Sequence, residues 1–195
     1  MELMQMKYMV PLLSVMFAVS AVEAKPMPKV SAKGEIMVEA EKYTRRRTRG
    51  KHKWERVRGK RKDIPNHLLA GPSANKVFDL NNADFEKKTP SVEFDVQFEA
   101  TGTFYLWVKG KGTAGGASMT IGVDNELIQS DYVGFFPRQF GWLGKFSDGS
   151  RIAIEIESKG KHTLHMWMIE DGVRIDKLLI TSDENYDPDG PGKGK

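Results

Sequence analysis

Strict alternation of apolar and polar residues is the sequence feature that most limits what this chain can fold into. In the run SVEFDVQF, residues 91–98, Val92, Phe94, Val96 and Phe98 are separated by polar or acidic residues. A period of two places one set of side chains on a core and the other in solvent, which is the pattern of a half-buried β-strand.

Further segments have a strand-like composition and are bounded by Gly, Asp, Asn or Pro. They are residues 35–42, 103–110, 117–124, 151–158, 162–169 and 174–181. No stretch has a convincing helical period, and the sequence holds no internal repeat. Short strands separated by turn residues predict an all-β fold, a sandwich of two antiparallel sheets. Trp107 and Trp167 lie in the middle of two of these strands, and we expect both to be packing residues.

The two ends of the chain differ from its middle. Residues 1–24 have the organisation of a secretory signal peptide, with Lys7 before an apolar run and a cleavage site after Ala24. The alternative is that residues 1–24 form an uncleaved N-terminal anchor. Later in the sequence, no run reaches the roughly 18–20 apolar residues that a membrane span needs. We therefore expect a secreted or periplasmic protein, or one at the cell surface. Cleavage would raise the formal net charge from +4 to +5, since one lysine and two glutamates are lost.

The remaining length suits a single domain. Pro and Gly near both ends leave little to pack, so we interpret residues 25–34 as a linker and residues 187–195 as a flexible tail. Residues 35–186 would then form one β-sandwich domain with a full core.

A basic segment, residues 45–62, carries eleven lysines or arginines and a single acid. Such a run cannot be buried, so we expect a solvated loop or an extended, twisted hairpin. The segment has either no role beyond solvation or a polyanion-binding role, for which the candidates are Arg45, Arg46, Arg47 and Arg49. An exported protein meets acidic polysaccharide more often than nucleic acid, so an anionic glycan is the predicted partner. Anionic lipid headgroups and wall polymer are lesser options, and no specific nucleic acid is expected.

Two constellations of side chains could carry a function. Glu39 and Glu41 are two residues apart in the predicted first strand, so their carboxylates share a face and could begin a calcium site. A solvated strand face is the plainer interpretation.

Residues 132–146 hold an aromatic cluster whose spacing is irregular for a strand, which indicates a loop. The rings could stack on sugars or could close the open end of the sandwich. The cluster consists of Tyr132, Phe135, Phe136, Phe140, Trp142 and Phe146.

Covalent catalysis has no candidate in this sequence. The chain has no cysteine, and no Ser-His-Asp order or nucleophile elbow stands out.

Four segments of the sequence resemble the carbohydrate-binding modules of families six and thirty-five, which are appended to secreted polysaccharide-degrading enzymes. The segments are VEAEKY at 38–43, GTFYLWVKG at 102–110, FGWLGKF at 140–146 and GKHTLHMWMIEDGVRIDKLLITSDENYDPDGPG at 160–192. The resemblance implies a β-jelly roll without catalytic activity of its own. The last of the four segments is the specific part of the match.

The resemblance also implies a structural calcium and a sugar site. The positions that match the family's acidic pair and last-strand aspartate, its calcium ligands, are Glu39, Glu41 and Asp176. The first and last strands pair in this family, which would bring Asp176 beside the two glutamates. In the sugar site, Trp142 matches the stacking tryptophan that follows a glycine, and Arg174 stands where sugar-binding members more often have Asn. An arginine there favours a ligand with carboxylate or sulfate groups. The candidate ligand-binding residues are Trp142, Arg174, Tyr132, Phe136, Glu170 and Asp171.

The sequence therefore predicts an exported, noncatalytic module that binds polysaccharide, with an acidic glycan preferred and a structural calcium. It could work with a polysaccharide-degrading enzyme in trans. One alternative is a small jelly-roll lyase acting on uronate chains, for which Arg174, His165 and Tyr132 could be recruited as charge neutraliser and base. A structural or adhesion subunit of the cell surface is the third option.

Overall fold

The computed structural model describes residues 26–60, 64–71, 78–112 and 117–189. The predicted signal peptide lies outside the described residues, as do Lys25 of the predicted linker and residues 190–195 of the predicted tail. Within the described residues, no helix is long and apolar enough to cross a membrane.

The described chain is almost entirely β-structure arranged in two sheets. In chain order the strands are β1 (Lys29–Val30), β2 (Glu35–Glu39), β3 (Arg45–Arg47), β4 (Lys53–Val57), β5 (His67–Gly71), β6 (Ser91–Phe98), β7 (Gly102–Lys111), β8 (Met119–Val123), β9 (Glu126–Leu127), β10 (Gly141–Leu143), β11 (Ala153–Ile156), β12 (Gly160–Met168) and β13 (Arg174–Thr181). A 3₁₀ turn at Ala40–Lys42 follows β2, and a single-turn helix α1 (Phe85–Lys88) precedes β6.

Both sheets combine strands from distant parts of the chain. The six-stranded sheet has the order β1-β6-β12-β8-β9, and β3 also pairs with β6. The seven-stranded sheet has the order β10-β7-β13-β5-β4, with β11 also paired to β7 and β2 to β13. Except for the parallel contact of β1 with β6, the pairings are antiparallel. The predicted β-jelly-roll sandwich of two antiparallel sheets is confirmed.

The core lies between the two sheets and follows the alternation in the sequence. Val92, Phe94, Val96 and Phe98 of β6 are all buried, as the period of two predicts. The ring of Phe98 packs edge-on against Phe104 of β7, with ring centroids 5.0 Å apart, and so joins the two sheets. Full burial of such a side chain stabilises the fold by about 1.5–3 kcal/mol, and these rows of apolar residues therefore fix which face of each strand points inward.

The predicted linker contributes to the sandwich. Its residues Lys29 and Val30 form β1 alongside Gln97 and Phe98 of β6, and the Val30 side chain is buried. A single apolar side chain is enough to dock this short segment, because the edge of β6 offers free backbone groups for pairing.

The basic segment is more ordered than the sequence predicts. Its β3 joins the six-stranded sheet and its β4 joins the seven-stranded sheet, with a tight turn closed by the Arg49–His52 bridge between them. Trp54, its only aromatic residue, is fully buried in the core and pairs in register with Ala70. Two strands joined by a tight turn agree with the extended-hairpin alternative, although each strand pairs with a different sheet. The solvated-loop alternative is wrong, because Trp54 anchors β4 in the core. Lys53, Glu55 and Arg56 lie on β4, an edge strand, where charges discourage pairing with another sheet. Residues 61 and 62 of the segment lie outside the described residues.

The first strand of the predicted domain, β2, pairs with the last strand, β13, as the resemblance implied. Glu39 stands opposite Lys177. The register of β13 against β7 shifts between Ile175 and Lys177, which makes Asp176 the extra residue of a β-bulge.

Candidate functional site

The outer side of the seven-stranded sheet carries aromatic and basic side chains next to one another. In β7 the buried residues alternate with the partly exposed Tyr105, Trp107, Lys109 and Lys111, so these four face outward. Strands β10 and β13 flank β7 and add their own outward residues. We call the resulting surface the aromatic–basic face, and its residues are Trp107, Lys109, Lys111, Phe140, Trp142 and Arg174.

Two aromatic rings of this face each lie beside a lysine. Trp142 stands opposite Lys109 in the β10–β7 pair, and the Lys109 ammonium is 5.6 Å from its ring centroid. The Lys111 ammonium is 5.0 Å from the centroid of Phe140. Both distances fall within the range of cation–π attraction. The sequence predicts Trp142 in a loop, whereas the structure places it in the short edge strand β10, and its ring is partly exposed as a stacking platform requires.

Arg174 joins the same face at the start of β13, where it stands opposite Lys111. Its Nη1 lies 3.0 Å from Nε2 of His67. Among the residues the structure describes, no ion pair joins Arg174, Lys109 or Lys111 to a carboxylate. Although the charge of Lys109 acts on the Asp176 carboxyl, three cations outside any such ion pair give this part of the face a positive potential that favours an anionic ligand.

Trp107 belongs to this face and not to the core. The Arg151 guanidinium lies 4.4 Å from its ring centroid, so the side chain packs on the outside of the sheet. Trp167, in contrast, is fully buried in the six-stranded sheet, as predicted, and donates through Nε1 to the Glu86 carbonyl at 3.2 Å. Alternation within residues 102–111 indicates that Trp107, Lys109 and Lys111 share a face, and that signal could have identified them.

Tyr132 and Phe136, both predicted ligand residues, pack against the core and are not part of the aromatic–basic face. The Phe136 ring lies so close to Gly110 that a Cβ there would stand 2.6 Å from its Cε1. These two rings therefore fit the other interpretation of the aromatic cluster, in which the rings close the open end of the sandwich.

Glu170 and Asp171 lie in the turn before β13, where protein groups engage their carboxylates. Glu170 accepts a hydrogen bond from the Ser118 hydroxyl at 2.7 Å. An Asp171 oxygen lies 3.3 Å from Nδ1 of His52, and this contact ties the turn of the basic segment to the end of the sandwich.

The four candidate polyanion-binding arginines are held by the protein in different ways. Arg45 forms ion pairs with Glu93 and Asp95, which compensate its charge. Arg46 donates to the Trp54 carbonyl at 3.0 Å. Their neighbours likewise donate to backbone carbonyls, Arg47 to that of Glu86 and Arg49 to that of Thr48. Carbonyl bonds leave a guanidinium charged, so the last three retain their attraction for an anion.

The predicted calcium ligands lie near one another, although they are not assembled as a metal centre. Asp176 is 2% exposed, and its Oδ1 and the Oε2 of Glu41 are buried without a hydrogen-bond partner. Burial raises the pKa of Asp176 to about 6; the charges of Lys177 and Lys109 oppose this effect, and those of Glu39 and Glu41 add to it. Glu39, however, forms an ion pair with Lys177 at 3.2 Å.

Across residues 26–60, 64–71, 78–112 and 117–189, no group of three or more His, Cys, Asp or Glu side chains is arranged to hold a metal ion. The two buried, unpartnered oxygens fit a cation as chemical partners, since a hard cation takes carboxylate ligands. Calcium at this place therefore stays a prediction.

The residues named for the lyase alternative do not share a cleft. Arg174 lies on the seven-stranded sheet and His165 is buried in β12 of the six-stranded sheet, stacked on Trp167 at 5.0 Å. Tyr132 packs against the core outside both strands. No base therefore faces Arg174 among these three candidates.

The two sheets and their strand order define the fold as a jelly roll of the carbohydrate-binding-module type. A family 35 carbohydrate-binding module from Clostridium thermocellum matches with a TM-score of 0.51 and 15% identity, covering 77% of this chain and 99% of that module. A module from Cellvibrio mixtus lichenase 5A, solved in complex with cellotriose, matches with a TM-score of 0.50 and 9% identity, covering 76% and 98% of the two chains. At these identities the likeness shows the fold.

Residues 30–188 match the family model of the glycosyl hydrolase family 115 C-terminal domain. The chain belongs to this family. No curated protein matches the sequence at a significant level.

Proposed function

We propose that the protein is a noncatalytic module that binds an acidic polysaccharide, carrying uronate or sulfate groups, on the aromatic–basic face. The observation that carries this proposal is that cations and aromatic rings lie side by side on this face. Lys109, Lys111 and Arg174 form no ion pair with a carboxylate in the described part of the chain. The rings of Trp142 and Phe140 lie beside the two lysines. Aromatic rings stack on the C–H faces of sugars, and a guanidinium binds a carboxylate or sulfate through two parallel hydrogen bonds. A surface that offers both suits an acidic sugar.

Arg174, His165 and Tyr132 do not share a cleft, and the histidine that does contact Arg174, His67, is 1% exposed with both ring nitrogens engaged. Neither arrangement offers an accessible base facing a charge neutraliser, which a lyase needs, and this supports binding over the lyase alternative. Membership of a family of glycosyl hydrolase C-terminal domains supports a partnership with a polysaccharide-degrading enzyme, within one chain or in trans. We propose that the protein acts outside the cell, after cleavage of residues 1–24. Nothing in the described part of the chain favours the adhesion role.

A structural calcium would serve this module by neutralising Asp176 and Glu41. Both present a buried carboxylate oxygen without a partner, and a divalent cation supplies the missing positive charge. Glu39 would complete the set by exchanging its ion pair with Lys177 for the metal. The cation would link β2 to β13, the strand that carries Arg174, and would stabilise their pairing.

Trp142→Ala tests the proposed site. Loss of one stacking platform should weaken binding by about 1–3 kcal/mol, or roughly 5- to 150-fold, by analogy with bases stacked on aromatic rings. Titration calorimetry with polygalacturonate would measure the change, and a thermal melt should differ little from that of the parent because the ring is partly exposed.

Phe135→Ala is the matched control. This ring is 81% exposed but lies in the loop before β10, outside the aromatic–basic face, so its removal should leave the affinity unchanged. If Phe135→Ala weakens binding and Trp142→Ala does not, the site lies at the loop end of the sandwich and the proposal is wrong. Arg174→Asn should shift the preference from acidic towards neutral glycans and should lower the melting temperature somewhat, because the buried Nε2 of His67 loses its donor.

A further inference from the structure

His67 lies beneath the basic part of the aromatic–basic face. It is the first residue of β5, and its side chain is 1% exposed. Its Nδ1 is 3.0 Å from the Pro65 carbonyl oxygen, and its Nε2 is 3.0 Å from Nη1 of Arg174. Both ring nitrogens are therefore engaged, one by a backbone group and one by the cation at the centre of the proposed site.

These two partners determine the protonation state of the ring. A carbonyl oxygen can only accept, so Nδ1 must carry the hydrogen, and a guanidinium can only donate, so Nε2 must be the bare acceptor. Only the neutral Nδ1–H imidazole satisfies both contacts. A protonated ring would present a second N–H to Arg174 and would break the bond.

The surroundings of His67 keep it neutral. The charged groups that face it are Arg174 from β13 and Lys111 from β7, and the Phe140 ring packs against it edge-on at 5.7 Å. Burial lowers the pKa of His67, and although the bond to Pro65 opposes this, the charges of Arg174 and Lys111 lower it further. In the described part of the chain no carboxylate forms an ion pair with the ring.

We propose that His67 is a positioning residue that fixes Arg174 to bind an oxyanion of the glycan, with Lys111 as the second cation of the same subsite. This inference rests on the proposed function. The bond to His67 uses Nη1 of Arg174 and leaves the edge formed by Nε and Nη2 free for a bidentate contact with a carboxylate or sulfate. An arginine held in this way loses less conformational freedom on binding than a free one.

A consequence is that affinity should fall on acidification. Protonation of His67 removes the acceptor and places a third positive charge beside Arg174 and Lys111, which releases Arg174 from its position. Net charge alone would predict the opposite, since an extra positive charge strengthens attraction to a polyanion. The two expectations therefore differ in sign.

Two variants separate positioning from packing. His67→Phe keeps a ring against Phe140 but removes the acceptor, and should weaken binding of an acidic glycan by about tenfold, the effect of losing one hydrogen bond to a charged group. His67→Gln can accept from Arg174 and donate to Pro65 without titrating, so it should retain most of the affinity and should lose the dependence on pH.

The probes are dextran sulfate and polygalacturonate, titrated from pH 7.5 to pH 4.5 and compared with unmodified dextran. Sulfate stays ionised over this range, so a fall in affinity for dextran sulfate originates in the protein, whereas a fall confined to polygalacturonate originates in its carboxylates. Comparison of the two probes at pH 7.5 also tells which oxyanion the subsite prefers.

On acidification, the wild type is expected to lose affinity for dextran sulfate. His67→Gln should show no such loss, and His67→Phe should bind weakly at every pH. A rise in affinity on acidification, or unchanged binding by His67→Phe while Trp142→Ala loses binding, would overturn the role of His67 and leave the proposed function intact. Failure of the wild type to bind either acidic glycan would overturn the proposed function itself.

Discussion

Replacing Asp176 by asparagine should stabilise the calcium-free protein at neutral pH. Asp176 is almost fully buried, its Oδ1 has no hydrogen-bond partner, and burial raises its pKa from 3.8 to about 6. Between these two pH values the folded protein holds a proton that the unfolded chain has released. The free energy of unfolding therefore falls as the pH rises from about 4 to about 6, and then stays level.

The size of the effect follows from the pKa difference. A shift of roughly two units corresponds to about 3 kcal/mol, at about 1.4 kcal/mol per unit. For a domain of this length about 2–4 °C of melting temperature accompanies each kcal/mol, so Asp176→Asn should gain up to about 6–12 °C at pH 7.5. The gain should vanish near pH 4, where the wild-type carboxyl is protonated in both states.

Thermal melts in EDTA and in calcium chloride would measure both parts of this reasoning. Calcium should stabilise the wild type by mass action and should leave Asp176→Asn unchanged, since the variant lacks a ligand. Glu126→Gln, an exposed carboxylate on β9, is the control and should have no effect under either condition. If Asp176→Asn melts lower than the wild type at pH 7.5 in EDTA, the cost assigned to the buried charge is refuted. An identical wild-type melt with and without calcium would exclude the metal.

Two further predictions concern charge. His162 contacts the Asp124 carboxylate at 2.6 Å and the Ser158 carbonyl at 2.8 Å. Burial of the ring lowers the pKa of His162, but these two bonds outweigh burial and raise it. The stabilisation that the protonated ring provides should be complete below about pH 6.5 and should be lost at higher pH, as the folded protein releases the proton. Melts at pH 5.5 and pH 8.5 should therefore differ less in His162→Gln than in the wild type, and an unchanged difference would exclude this contact as the cause. Neutralising the four arginines within residues 45–49 should flatten the salt dependence of polyanion binding, measured by titration at two ionic strengths, because fewer counterions are released; an unchanged slope would mean that the segment takes no part in binding.

The sequence predicts the parts of the fold that depend on one strand at a time. Alternation identified β6 and β11, because a period of two reports directly which side chains are buried, and strand-like composition identified β2, β7, β8, β12 and β13. The same reasoning failed for β4, since Trp54 stands alone among lysines and arginines and its burial depends on pairing with β5. Local composition carries no information about such a distant partner.

The candidate site shows the same limit. Trp142 and Arg174 were identified from their resemblance to a family motif, and the structure places both on one face. Their neighbours Lys109 and Lys111 follow from alternation once the outward face of β7 is known. The contact of His67 with Arg174 joins residues from two strands that are far apart in the sequence, and only the pairing of β5 with β13 brings them together.

A glycan array probed with the wild-type protein at low and high salt tests the central claim most directly. Binding through stacking and oxyanion recognition predicts signals on uronate-containing or sulfated glycans that weaken at high salt without disappearing, because stacking does not depend on ionic strength. Neutral glycans should give weaker signals at both concentrations. Absence of binding to every glycan, or binding restricted to neutral glycans, would contradict the assignment of this face to an acidic polysaccharide.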